Sequence, residues 1–246
     1  MNRKGLTTGF QERKTKQTLL IMTEFPPQSY RPAGERMFHA AIAGSSVFES
    51  VIVLSLRGGG KRDNIGKTGH EHVGTLLYAV KFVRGMLYPL AALFDPIKFL
   101  VFFVYGFMLS RRYKPLCIFA SMPPLETGVC AWLLSKHKPF SLVIDLRDDW
   151  ESALSAQFGR YFPRVVLNVL AIVTHNIYSS ALLIFAATQT IAETVRRRGV
   201  TAQTVLVPNG ADTSVFVPKN ESVRRNIRAK YNLPQDKVVA VYCGSG

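Results

Sequence analysis

Ser141-Leu142-Val143-Ile144-Asp145-Leu146-Arg147-Asp148-Asp149-Trp150 is an apolar run that turns abruptly into charge. Residues 141–146 are short and nearly all apolar, the composition of a strand buried on both faces of a parallel sheet. At its end, Asp145, Arg147, Asp148, Asp149 and Trp150 put three carboxylates, a guanidinium and an indole in one loop. Such a group is costly to bury unless its members pair or meet a ligand. In an open α/β sheet, ligands sit beyond the carboxyl ends of the strands. An internal pair between Arg147 and a neighbouring Asp would shape the loop without any ligand.

Working outward, similar short apolar runs occur at 18–23, 51–56, 116–120, 182–187 and 204–207. Helical segments are expected between them. One runs from Glu35 to Ala43 and is ended by Gly44. An apolar helical region covers about 76–111. A third opens at Pro124 and closes at Pro139, with an apolar face of Leu125, Val129, Trp132 and Leu133. A fourth covers Pro163–Tyr178, and a fifth ends at Arg198. The stretch 57–74 reads as a solvated loop; it lacks the Walker spacing, with Lys61 where a glycine is required. This alternation predicts an α/β fold with a doubly wound, Rossmann-like parallel sheet. A helix at 222–231 and a strand at 237–242 then begin something new. The expected organisation is a basic tail at 1–17, a domain at 18–217 and the start of a second at 218–246.

Composition bounds the function classes. The chain has 246 residues, 48% of them hydrophobic, so a sizeable core is available and disorder is excluded. Cys117, Cys130 and Cys243 are odd in number and widely spaced, which excludes a disulfide scaffold. No metal site is expected, since His70 and His72 have no further ligands at suitable spacing. The formal charge of +15 suits either nucleic acid or an anionic membrane. No nucleic-acid-binding module is readable. One basic cluster, Arg111, Arg112 and Lys114, directly follows the most apolar segment, 86–109.

The uncharged part of that segment, Phe99–Leu109, is shorter than the roughly 20 residues of a spanning helix. An interfacial helix pair is the preferred reading, touching lipid through Phe99, Phe102 and Phe103 and pinned by Arg111 and Arg112. A buried core helix and a tilted span are the alternatives. No signal peptide is readable, because the first apolar run follows a polar tail. The expectation is a cytoplasmic chain, peripheral on the inner face of an anionic membrane, that does not bind nucleic acid.

Further candidates sit at other strand ends. Gly34 lies near a helix amino terminus, where free N–H groups and the helix dipole suit a phosphate, with Glu35 and Arg36 beside it. Pro208-Asn209-Gly210-Ala211-Asp212 is a turn after a strand.

The order of these motifs resembles the family 4 glycosyltransferases of the GT-B fold. The pieces are Phe25-Pro26-Pro27 with Gly34, the Asp145-x-Arg147-Asp148-x-Trp150 loop, Ala187-Thr188, Asn209-Gly210-Ala211-Asp212 with Phe216-Val217-Pro218, and Val241-Tyr242-Cys243-Gly244. The resemblance implies retaining transfer of a sugar from a nucleotide-sugar donor, without a cofactor or a required metal. The implied acceptor is lipid-linked or a surface polysaccharide. It implies catalytic roles for Asp145, Arg147 and Asp148, substrate binding by Gly34, Glu35, Arg36, Trp150, Asn209 and Gly210, and a donor loop starting at Gly244. The donor-gripping basic pair and paired glutamates of the family have no counterpart in these residues. Low activity alone is therefore expected, or a non-catalytic membrane module that pairs with a separate donor-domain chain.

Overall fold

The structure, a computed structural model, describes residues 15–25, 32–56, 68–72, 96–137, 139–159, 161–211, 213 and 216–241. Among them, seven strands form one sheet: β1 (Thr15–Thr23), β2 (Phe48–Ser55), β3 (Thr68–His72), β4 (Cys117–Met122), β5 (Ser141–Leu146), β6 (Leu183–Ala186) and β7 (Gln203–Leu206). The order is β3-β2-β1-β4-β5-β6-β7, and every neighbouring pair is parallel. Strand order reverses direction between β1 and β4, which is where such sheets bind ligands. The expected α/β, Rossmann-like class is the one observed.

The helices are α1 (Pro32–Val47), α2 (Pro96–Tyr113), α3 (Leu125–His137), α4 (Trp150–Phe158), α5 (Arg164–Ser179), α6 (Gln189–Arg197) and α7 (Glu221–Lys230). Alternation along each strand divides the core by sheet face. Leu20, Met22, Ile118, Ala120, Leu142 and Ile144 pack under α2, α3, α5 and α6. Leu19, Ile21, Val51, Val53, Phe119 and Val143 pack on the other face with Met37 and Ala41 of α1.

Several expectations are corrected. Gly44 does not end α1 but lies inside it: an added Cβ there would come within 2.7 Å of Leu19 Cδ2, so the glycine lets the helix cross β1 closely. Residues 68–72 form edge strand β3 rather than loop, because pairing with β2 uses backbone groups and needs no apolar signature. The buried side of α3 centres on Cys130, Ala131 and Leu134 rather than on Leu133. Helix α4 is an element that sequence patterning did not predict, although Asp149 caps it by accepting from Ser152 N at 3.4 Å. Residues 237–241 form no strand; Val238 is 98% exposed, with no neighbouring strand among the described residues to pair with. Residues 76–95 of the expected helix pair lie outside the described residues.

At the other end of that apolar region, Pro96 starts α2, where its missing N–H costs no helical bond. Gly106 lets α2 lie close to α3 and β1: an added Cβ would sit 3.1 Å from both Leu134 and Met22. Lys114 stops the helix in the left-handed conformation (φ 45°), its N–H donating to Ser110 O at 3.1 Å.

The chain divides into two compact units, residues 1–208 and 209–246. The second is small. Asn220 caps α7 by accepting from Val223 N at 3.0 Å, and the Arg228 guanidinium donates to the carbonyls of Pro234, Gln235 and Lys237.

Candidate functional site

At the carboxyl ends of the strands, on the α1 face, lies a buried polar row. Ser55 of β2 pairs in register with Thr23 of β1, and Ser121 of β4 with Asp145 of β5. Thr23 and Ser121 fall at one level, one step beyond the Met22–Ala120 pairing. All four residues are fully buried. Their placement follows from strand alternation, since each sits two residues past an apolar residue of the α1-side core.

A carboxylate in that position must be paired. Arg36, one turn into α1, supplies the pairing: its Nη2 donates to Asp145 Oδ1 at 2.7 Å, and its Nε lies 3.0 and 3.1 Å from the two oxygens. Ser121 Oγ donates to Asp145 Oδ2 at 3.4 Å. Asp145 thus braces the amino end of α1 against β5. The same pairing commits the Arg36 guanidinium to a carboxylate of the protein itself rather than to a bound anion.

Arg147, just past β5, does not pair with its neighbouring carboxylates by hydrogen bond. Its Nη2 donates to the carbonyl of Pro123 in the loop after β4. Burial lowers its pKa, against the opposing effect of the nearby charges of Asp145, Asp148 and Glu24. Among the described residues, Arg147 Nε and Thr23 Oγ1 are buried without a hydrogen-bond partner. An orphaned buried polar atom costs about 1–3 kcal/mol; these two, and Trp150 Nε1 which is also without a partner, lie at this end of the sheet.

The remaining sequence candidates divide. Gly34 is buried in the first turn of α1, whose N–H groups have no helical acceptors, and Glu35 beside it is exposed. Asp148 is exposed, Asp149 caps α4, and Trp150 is half-buried against the larger core cluster. Asn209 and Gly210 are exposed and belong to the second unit. Gly244 lies outside the described residues.

The lipid-contact assignment is corrected on α2. Phe102 is fully buried, and Phe99 and Phe103 pack half-buried against the core. Phe99, Phe103 and Phe107 stack in a row 5.9 and 6.4 Å apart. Arg111 and Arg112 are exposed, as expected. Among the described residues, no helix is long and apolar enough to cross a membrane, and no cluster of three or more His, Cys, Asp or Glu could hold a metal ion.

Sequence reasoning missed two carboxylates, one buried and one largely so. Glu126 is buried in the first turn of α3, where the helix dipole favours its charge. Glu151 ties three helices together. It pairs with Arg198 at the end of α6 (2.6 Å) and accepts from Thr174 (2.9 Å) and Tyr178 (3.0 Å) of α5. A small crevice lined by Asp148, Trp150, Glu151, Tyr178 and Arg198 lies between these helices. In sequence, Arg198 is one member of a basic run, and only the spacing from Asp149 to Glu151 in a helix's first turn carries a signal.

No protein-family model matches the sequence, and a search of curated proteins finds no match. Solved structures do match. A structure of UGT2 from Phytolacca americana complexed with UDP-2fluoro-glucose and pterostilbene aligns at a TM-score of 0.51 and 9% identity, over 87% of this chain and 58% of that one. HepE of Anabaena in complex with UDP aligns at 0.53 and 15% identity, over 88% and 50%. The same protein with UDP and glucose aligns at 0.51 and 16%, over 87% and 50%. The chain therefore spans about half the length of these structures. They are glycosyltransferases of the GT-B fold, and the likeness at this identity is one of fold: the chain has the Rossmann-like architecture of one half of it.

Proposed function

We propose that this chain is the acceptor-side half of a family 4 glycosyltransferase that takes a sugar from a nucleotide-sugar donor, with retention, at a membrane surface. The acceptor in this reading is a lipid-linked sugar or a surface polysaccharide. The observation that carries the proposal is the buried polar row at the β1/β4 reversal, with Arg147 reaching across to the Pro123 carbonyl. The two neighbours with bound UDP ligands share this half of the fold and support the reading.

In chemical terms, Asp145 acts through position rather than as a base. A carboxylate that already accepts from Arg36 and Ser121 inside the protein is poorly suited to taking a further proton. Its work is to hold Arg36, and through it the amino end of α1, where the free N–H groups near Gly34 favour the donor diphosphate. Arg147 offers a fixed guanidinium, with one N–H unmatched, for an acceptor oxygen or phosphate. Asp148, exposed beside it, is the carboxylate best placed to accept from acceptor hydroxyls. Transfer itself needs donor-gripping groups that these residues do not supply, so residues 1–246 alone should turn over little or not at all.

The direct test is binding of a short-chain prenyl-diphosphate sugar, in detergent, by the whole chain. The expected result is saturable binding, weakened about tenfold, or about 1.4 kcal/mol, by Arg147→Ala. Equal binding by wild type and Arg147→Ala would remove the acceptor role from this end of the sheet.

A further inference from the structure

We propose that the outward surface of α2, α3 and α5 is a docking face for an anionic lipid bilayer, presented by a different set of residues from the phenylalanines named above. It deepens the membrane part of the proposed function and is independent of any sugar chemistry.

On α2, Leu100 (60% exposed), Val104 (44%) and Met108 (60%) recur every four residues and so form one stripe, with Tyr105 beside it. The phenylalanines on the opposite side of the helix are the ones that pack into the protein. On α5, Val165, Val169 and Ile172 make a second exposed stripe. Helices α2, α3 and α5 cover the same face of the sheet, so both stripes look outward from one layer. Two apolar stripes on one layer exceed the scatter of single apolar residues normal for a protein surface.

Charge selects the occupant. Helices α2 and α5 contain no Asp or Glu, and the one acid of α3, Glu126, is buried. Exposed Arg111, Arg112, Lys114, Lys136 and Arg164 are all positive. A second copy of this chain would set like charges against each other. A nucleic acid would find no use for the exposed aliphatic side chains of the two stripes. An anionic bilayer matches both features: acyl chains take the stripes, and headgroups take the guanidinium and ammonium groups. The contact is interfacial, because none of the described helices can span.

The test is flotation of the full chain with vesicles of phosphatidylglycerol and phosphatidylcholine, against phosphatidylcholine alone. Binding is expected only to the anionic vesicles, and it should weaken with salt. The triple variant Leu100→Ser/Val104→Ser/Met108→Ser should lose about tenfold or more. Arg111→Gln/Arg112→Gln should lose about fivefold per charge. Val238→Ser, a still more exposed apolar site (98%) in the second unit, should change nothing. These positions are exposed, so wild-type Tm should be kept, and the salt dependence of the wild type tests the face without any variant. Equal binding to neutral vesicles, or retention of binding by the triple variant, would overturn the proposal. So would tight duplex-DNA binding lost in the arginine variant but kept in the triple variant. None of these outcomes depends on acceptor binding, so failure of the catalytic reading and failure of this face remain distinguishable.

Discussion

Glu151 and Glu221 each hold an arginine at 2.6 Å, yet they sit in opposite surroundings. Glu151, in the first unit, is 10% exposed and also accepts from two hydroxyls on a neighbouring helix. Glu221, in the second unit, is 52% exposed, and its partners Arg224 and Arg225 lie on its own helix. Interatomic distance therefore says little about what either pair is worth. Water screens the second pair and competes for its hydrogen bonds, while the first would leave unmatched charge inside the protein if broken. The Asp145–Arg36 pair takes the same logic further, with the carboxylate side chain 1% exposed.

The strongest way to sharpen this contrast is Arg36→Ala. It takes the bonded counter-charge from the buried Asp145 carboxylate and leaves it the long bond from the Ser121 hydroxyl and the nearby, unbonded Arg147, so it should cost about 3 kcal/mol in urea unfolding. Arg36→Lys keeps the charge but loses the two-nitrogen fork, and should cost less. If both variants unfold like wild type, burial does not set the worth of the pair.

Glu151→Ala comes next, at about 2–3 kcal/mol, because Arg198 is partly exposed and recovers some hydration. Its partner Tyr178 gives a pH readout. Burial, then the nearby Glu151 charge, holds the Tyr178 hydroxyl protonated well above its ordinary pKa of 10. A folded value raised above the unfolded one leaves stability intact below pH 10 and erodes it as pH climbs beyond. Wild type should therefore lose stability above pH 10 more steeply than Tyr178→Phe; parallel curves would contradict this.

Glu221→Gln is the smallest effect, with no measurable change of Tm at neutral pH. Hydrogen bonding from Arg224 lowers the Glu221 pKa below 4.5, so its contribution is present above that pH and lost as pH falls through the folded value. Wild type and Glu221→Gln should therefore keep nearly the same helical circular dichroism on acidification; a large acid step confined to wild type would contradict this.

How much of this was legible in the sequence follows from the range of each interaction. Strands β1, β2, β4, β5 and β6 announce themselves as apolar runs, because burial on both faces is a local demand on composition. The loop after β5 was legible as a charge cluster at a strand end. Its wiring was not: Asp145 pairs with a residue 109 positions away, and Arg147 bonds a carbonyl that has no side-chain signature. On α2, nearly every residue is apolar, so periodicity could not say which side faces the protein. The phenylalanines looked like the lipid anchors because they are the largest; for the same reason they fill the core.

Strand β1 lies between β2 and β4, and its pairing of Leu19 with Cys117 joins residues about 100 positions apart. During synthesis at about 5–20 residues per second, β1 waits on the order of 5–20 s for that neighbour. Over that interval the run Leu19–Met22, which ends up wholly enclosed, has an open edge available to other chains. The β1–β4 junction thus closes only long after β1 is made, and lowering the expression temperature or adding chaperones should raise yield through that interval.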